Sequence, residues 1–180
     1  MKQKDEIFKS LNKITTIFFD VDGIFTDGGL YFSEKGCSFN KFNVHDGLGC
    51  ILLQEIGIDL LIITGRQSVA VIERFKELGI KKVFTKVLKK RDFIREYAKV
   101  HNLTKSELAM MGDDLQDIAA KKEVSLFFTT PNAVDDVKIS ADFITNCLGG
   151  DGAVREICDL IIRSKGLSPS LEFDRYIKKR

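Results

Sequence analysis

Thr15-Thr16-Ile17-Phe18-Phe19 is an unbroken apolar, β-rich run that stops abruptly at Asp20-Val21-Asp22-Gly23. A strand without polar alternation is covered on both faces, and sheets covered on both faces are mostly parallel. The signature returns at Ile58 to Ile63, which ends in Thr64-Gly65-Arg66, and at Leu108 to Met111, which ends in Gly112-Asp113-Asp114. Shorter strands are predicted at Lys82 to Phe84, Ser125 to Phe128 and Asp142 to Ile144. Between them, helical periodicity covers Gly47 to Ile56, Ser68 to Leu78 with Gly79 as a stop, Arg91 to Val100, Leu115 to Lys121 and Ala153 to Ser164. A short leader helix is expected over Glu6 to Leu11, a hairpin over about 28–42 with its turn at Ser33-Glu34-Lys35-Gly36, and a charged tail over 168–180. This alternation predicts a doubly wound, Rossmann-like, mostly parallel α/β sheet with helices on both faces. No repeat, linker or low-complexity stretch divides the chain, so residues 1–180 read as one domain.

In such a sheet, ligands bind beyond the C-terminal ends of the strands. Folding would gather Asp20, Asp22, Asp113 and Asp117 at that edge, and crowded carboxylates are destabilising unless a cation neutralises them. Oxygen ligands suit Mg²⁺ better than zinc. A single Asp-x-Asp-Gly is usually a solvated turn, but such turns would have to arise independently at three strand ends in the right order.

Composition narrows the partners. A formal net charge of +2 argues for neither nucleic acid nor a membrane surface. There is no bilayer-length apolar run, and Met1-Lys2-Gln3-Lys4-Asp5-Glu6 lacks a secretory apolar segment. Cys37, Cys50, Cys147 and Cys158 are scattered without a Cys-x-x-Cys pair, as in a cytoplasmic protein with reduced thiols.

Asp20-x-Asp22-Gly23-x-x-Thr26, Thr64-Gly65, a lysine near Lys90 and Gly112-Asp113-Asp114-x-x-Asp117 resemble the motifs of the haloacid dehalogenase superfamily of aspartate-nucleophile phosphatases. The likeness extends over nearly the whole chain. The space between the first motif and Gly47 holds only the hairpin, so the chain is similar to the capless sugar-acid phosphatases. Thr26-Asp27-Gly28, Phe42 to Gly49, Arg66 and Gly149-Gly150-Asp151-Gly152-Ala153-Val154-Arg155-Glu156 support that narrower resemblance.

The resemblance implies Asp20 as nucleophile and Asp22 as general acid and base. It implies Mg²⁺ held by the Asp20 and Asp113 carboxylates and the Asp22 carbonyl. Thr64 and Gly65 would meet the phosphoryl group, with Lys90 or its rival Lys89 stabilising charge. Asp114 and Asp117 would support the metal site or cap helices. Arg66 would contact substrate or pair with a nearby acid. His45 stands where many relatives carry Arg, so it would bind substrate or serve a structural role, and Lys86 stands where they often carry Gly. Arg155 would face a neighbouring site or fix its helix start, while His101 reads as a surface residue. The implied reaction is hydrolysis of 3-deoxy-D-manno-octulosonate 8-phosphate, in lipopolysaccharide core biosynthesis. A nonulosonate 9-phosphate is the alternative substrate, and a non-catalytic assembly or regulatory domain the alternative class. The implied assembly is a homotetramer with packed hairpins and a C-terminal tail reaching an adjacent site.

Overall fold

The structure, a computed structural model, describes residues 4–36 and 38–180; Met1–Gln3 and Cys37 of the expected hairpin lie outside the described residues. Six strands form one parallel sheet: β1 (Thr16–Phe19), β4 (Asp59–Ile63), β5 (Val83–Phe84), β6 (Leu108–Met111), β7 (Leu126–Thr129) and β8 (Phe143–Ile144). Their spatial order is β5-β4-β1-β6-β7-β8. β1 lies centrally, with Phe19 in register with Ile62 on one side and Met111 on the other. The strand order reverses at β1, so the crevice beyond its C-terminal end is where such a sheet receives a ligand.

Every residue of β1, β6 and β7 is buried, as the unbroken apolar runs require. Ile17 and Phe19 face one core, built with α1 (Lys4–Lys13), α2 (Val44–Glu55), α3 (Val69–Glu77), α7 (Ala153–Ser164) and α8 (Pro169–Lys178). Phe18 faces the other, built with α4 (Lys90–Val100), α6 (Asp135–Ser140) and the turns after α5 (Leu115–Ile118). The hairpin is short, pairing Tyr31 of β2 (Tyr31–Phe32) with Phe39 of β3 (Ser38–Phe39) in antiparallel register.

Three features depart from the sequence reading or add to it. α2 begins at Val44 rather than Gly47, because the Asn43 side chain accepts from His45 N at 2.8 Å and starts the helix there. His45 therefore stands in a helical turn, not a loop. The charged tail over 168–180 is largely the helix α8, started by Pro169. Its Pro169, Glu172 and Tyr176 are buried, and Lys179 meets Glu55 of α2 at 2.6 Å. The short α6, which the sequence pattern does not predict, follows Val134 without a side-chain cap.

Phe75 of α3 ties this packing to the loop after β1. Its ring meets Phe25 edge-on at 4.8 Å, and Phe25 meets Phe19 at 5.3 Å. Phe75→Ala, which opens a cavity beneath that loop, is expected to lower unfolding free energy by about 3–5 kcal/mol, measured by urea denaturation.

Candidate active site

Asp20 leaves the sheet still hydrogen-bonded to β6, its N–H donating to Met111 O at 2.9 Å. The chain then folds back on itself, with Ile24, Phe25 and Thr26 N–H groups all directed at Val21 O. Val21, Ile24 and Phe25 enter the core, which leaves Asp22 at the mouth. The buried Thr26 hydroxyl accepts from Gly23 N and Gly28 N, each at 3.3 Å, and closes the loop. Gly23 is obligatory here: its φ is +76°, and an added Cβ would lie 1.8 Å from Asp113 Oδ2.

β6 delivers Asp113 to the same point. Asp117, in the first turn of α5, accepts from Asp113 N at 3.1 Å and Asp114 N at 3.2 Å through Oδ2. Its Oδ1 accepts from Lys90 Nζ at 2.6 Å, and Lys90 reaches Asp20 Oδ1 at 2.7 Å. Lys90, the first residue of α4, is 1% exposed, whereas Lys89 is exposed. Of the two lysines, Lys90 is the one the fold brings to Asp20.

β4 contributes Thr64, buried, whose hydroxyl accepts from Arg66 N at 3.2 Å. Arg66 extends its guanidinium to within 3.9 Å of Asp22 Oδ2, with both side chains partly exposed. Asp20, Asp22, Thr64, Gly65, Arg66, Asp113 and Asp114 line one cleft of about 290 Å³, with Gly28, Leu30 and Gln116. Those last three were missed in the sequence: neither glycine, leucine nor glutamine carries a charge that marks it. His45 is exposed and does not line this cleft. Arg155 pairs with Asp159 on its own helix at 2.8 Å. His101 stacks on Tyr97 at 4.1 Å between ring centroids.

Charge is out of balance. Asp20, Asp113 and Asp117 bring oxygens within 4.8 Å of one another, against one buried ammonium. Burial, then the charge of Asp117, pushes the Asp20 carboxyl up to about 7 despite Lys90. Burial, then the charges of Asp20, Asp117 and Asp114, pushes Asp113 up to about 7 as well. Burial alone would lower the Lys90 pKa, but the Asp20 and Asp117 charges outweigh it and keep the ammonium charged. Both Asp117 oxygens are already engaged, so Asp20 and Asp113 are the carboxylates left to receive a cation. Their donors are oxygens, and the cluster holds neither imidazole nor thiol among the described residues. That donor set fits a hard divalent cation such as Mg²⁺.

Comparison with known proteins reaches the same chemistry. A family model of haloacid dehalogenase-like hydrolases matches residues 82–157. The 3-deoxy-D-manno-octulosonate 8-phosphate phosphatase KdsC of Haemophilus influenzae is 33% identical over 160 residues, covering 89% of each chain. The chain belongs to the KdsC family of haloacid dehalogenase-like hydrolases. A Moraxella catarrhalis member, solved with magnesium, phosphate and KDO, superposes with a TM-score of 0.89 at 36% identity, over 98% of this chain and 99% of that one. A cobalt-bound H. influenzae structure superposes at 0.83 and 33% identity, over 87% and 92%. The fold of these relatives, a mostly parallel sheet with helices, is the fold seen here.

The two raised carboxyls make metal binding depend on pH. Because their folded pKa lies above the ordinary carboxylate value, the metal-free fold loses stability as pH rises from about 4 through about 7. Mg²⁺ binds the deprotonated pair and removes that penalty. At a fixed concentration one hundred times its Kd at pH 8, Mg²⁺ is expected to raise Tm by about 5–10 °C at pH 8 and by less than half that at pH 5.5, read by thermal unfolding with and without chelator.

Proposed function

We propose that this chain is a cytoplasmic Mg²⁺-dependent phosphatase that converts 3-deoxy-D-manno-octulosonate 8-phosphate to 3-deoxy-D-manno-octulosonate and inorganic phosphate, a step of lipopolysaccharide core biosynthesis. The observation that carries this reading is the meeting of Asp20, Asp113 and Lys90 at the head of one cleft, in a chain that its relatives match nearly end to end. Among the described residues, no helix is long and apolar enough to cross a membrane.

The Asp20 carboxylate attacks phosphorus, the bond from phosphorus to the C8 oxygen breaks, and Asp22 donates its proton to that oxygen. A water then attacks the aspartyl-phosphate and gives its proton to Asp22, which releases phosphate and restores Asp20. Asp22 lines the cleft and is partly exposed, which leaves it open to a leaving group and to solvent. Lys90 holds Asp20 in place and balances charge on the transferring group. Thr64 and the Gly65 backbone receive phosphoryl oxygens. Bound at Asp20, Asp113 and the Asp22 carbonyl, Mg²⁺ would screen the substrate phosphate from the carboxylates.

The cleft is at the small end for ligand sites, so it encloses the phosphate and leaves the sugar's carboxylate end at the rim. Arg66, exposed there, is suited to that carboxylate. The hairpin's Leu30, Tyr31, Phe32 and Phe39 are all exposed, Phe32 at 63%, which supports assembly into a homotetramer through that ribbon. In this reading residues 1–180 act as one catalytic domain, and His45, exposed and outside the cleft, is available to a neighbouring subunit's site.

Purified protein with Mg²⁺ is expected to release phosphate from octulosonate 8-phosphate at least tenfold faster, in kcat/KM, than from a nonulosonate 9-phosphate or simple sugar phosphates; the reverse order would reject the substrate assignment. Asp20→Asn should lose at least about 10³-fold in kcat and Asp22→Asn about 10²–10⁴-fold, by phosphate-release assay.

A further inference from the structure

Asp46 lies outside the machinery just described, yet it is 1% exposed and at a junction of the fold. It sits in the first turn of α2, where Asn43 already serves as the helix cap. Its Oδ1 instead crosses to α7 and accepts from Arg155 N at 2.8 Å, 109 positions along the chain. α7 needs that acceptor. Its own N-cap is Gly152, in a left-handed conformation with φ +100° and no side chain to receive an N–H. Asp46 is thus a capping carboxylate supplied from another helix. Its second oxygen is buried with no partner among the described residues. Burial pushes the Asp46 pKa up while the N–H groups of Arg155 and Gly152 draw it back.

What this cap holds is the glycine segment that supports the loop after β1. Gly150 N donates to Ile24 O at 2.9 Å. A Cβ on Gly149 would lie 1.7 Å from Gly23 O, and one on Gly150 would lie 2.5 Å from Asp27 N. Gly23 in turn packs against the Asp113 carboxylate. On the near side of the same segment, Glu156 of α7 accepts from Asn146 N at 2.8 Å and Cys147 N at 3.1 Å. An unbroken series of close contacts therefore runs from Asp46 through the start of α7 and Gly149–Gly150 to the backbone between Asp20 and Asp113.

We propose that Asp46 is a positioning residue, which sets the separation of Asp20, Asp22 and Asp113 by fixing the start of α7 and, through it, the glycine segment against the Asp22-Gly23 backbone. It touches neither substrate nor metal. The proposal rests on the phosphatase reading given above, and its test separates the two. Mg²⁺ affinity of the full chain is measured by calorimetry, without substrate, alongside kcat and KM for octulosonate 8-phosphate. Asp46→Ala and Asp46→Asn are compared with wild type at a temperature where circular dichroism shows all three folded.

Asp46→Ala is expected to lower kcat by about 10–100-fold, the scale of a misplacement near 1 Å. It should weaken Mg²⁺ binding at least fivefold and leave KM within threefold. Asp46→Asn keeps an accepting oxygen toward Arg155 N and should stay within threefold of wild type in all three quantities. If Asp46→Ala does not fold, Asp46→Ser, too short to reach Arg155 N, carries the same expectation. A folded Ala or Ser variant with a lowered Tm but wild-type kcat and Mg²⁺ affinity would overturn the proposal, as would an Asn variant as impaired as Ala. Wild type that binds Mg²⁺ but releases no phosphate would instead reject the phosphatase reading, and the calorimetric comparison would still decide the role of Asp46.

Discussion

The buried ammonium of Lys90 is the constraint on which the site depends. An uncompensated charge at that depth would be strongly destabilising, so Lys90 can be buried only because Asp20 and Asp117 both meet it. The dependence runs the other way as well, since both buried carboxylates take their counter-charge from this one ammonium. This one triad fastens the start of α4 to the end of β1 and to α5, and so fixes three elements of the sheet edge at once. It balances part of the charge only. The carboxyls of Asp20 and Asp113 stay high, and that residual imbalance is what draws in a divalent cation.

Around the triad, shape comes from what is missing. Gly23 and Gly149 bring backbone against carboxylate and backbone against backbone at separations no Cβ would permit. The acids are thereby aimed by main chain, which has fewer rotamers to lose than long side chains do. A site of this kind is organised before substrate arrives, and preorganised dipoles and charges need no rearrangement during reaction.

Much of this was legible in the sequence, for physical reasons that differ by element. β1, β4 and β6 announced themselves because strands covered on both faces cannot alternate, and their abrupt polar ends followed from strands running into a loop. Asp20, Thr64 and Asp113 could be placed because polar groups gathered where buried strands end must meet water, a counter-charge or a ligand, whereas Lys90 came only from the family resemblance, with Lys89 still its rival. Residues 168–180 were read as a tail because charged residues are spread along them; the helical spacing of Pro169, Glu172 and Tyr176 becomes meaningful only once α2 is there to cover it. The start of α2 was set by the Asn43 side chain, a local bond with no periodicity. The clamp on α7 by Asp46 joins residues remote in sequence, and no local pattern encodes it. The bridging role of Asp117 was similarly hidden, since helix cap and lysine partner look the same in a string of letters.

The central place of β1 has a bearing on how the molecule is made. Thr16 must find Asp59 on one side and Leu108 on the other before the first acidic loop has walls, and the support for that loop at Gly149–Gly150 is synthesised later still. Such distant parallel pairing is slow relative to local helix formation. Asp20, which would bear the phosphoryl group, thus precedes Thr64, Lys90, Asp113 and Gly149–Gly150 in chain order and is part of a site only once all of them are in place. The carboxylates of Asp20 and Asp113 come together only on the long-range pairing of β1 with β6, so the site is acquired with the sheet as a whole and with no single local element.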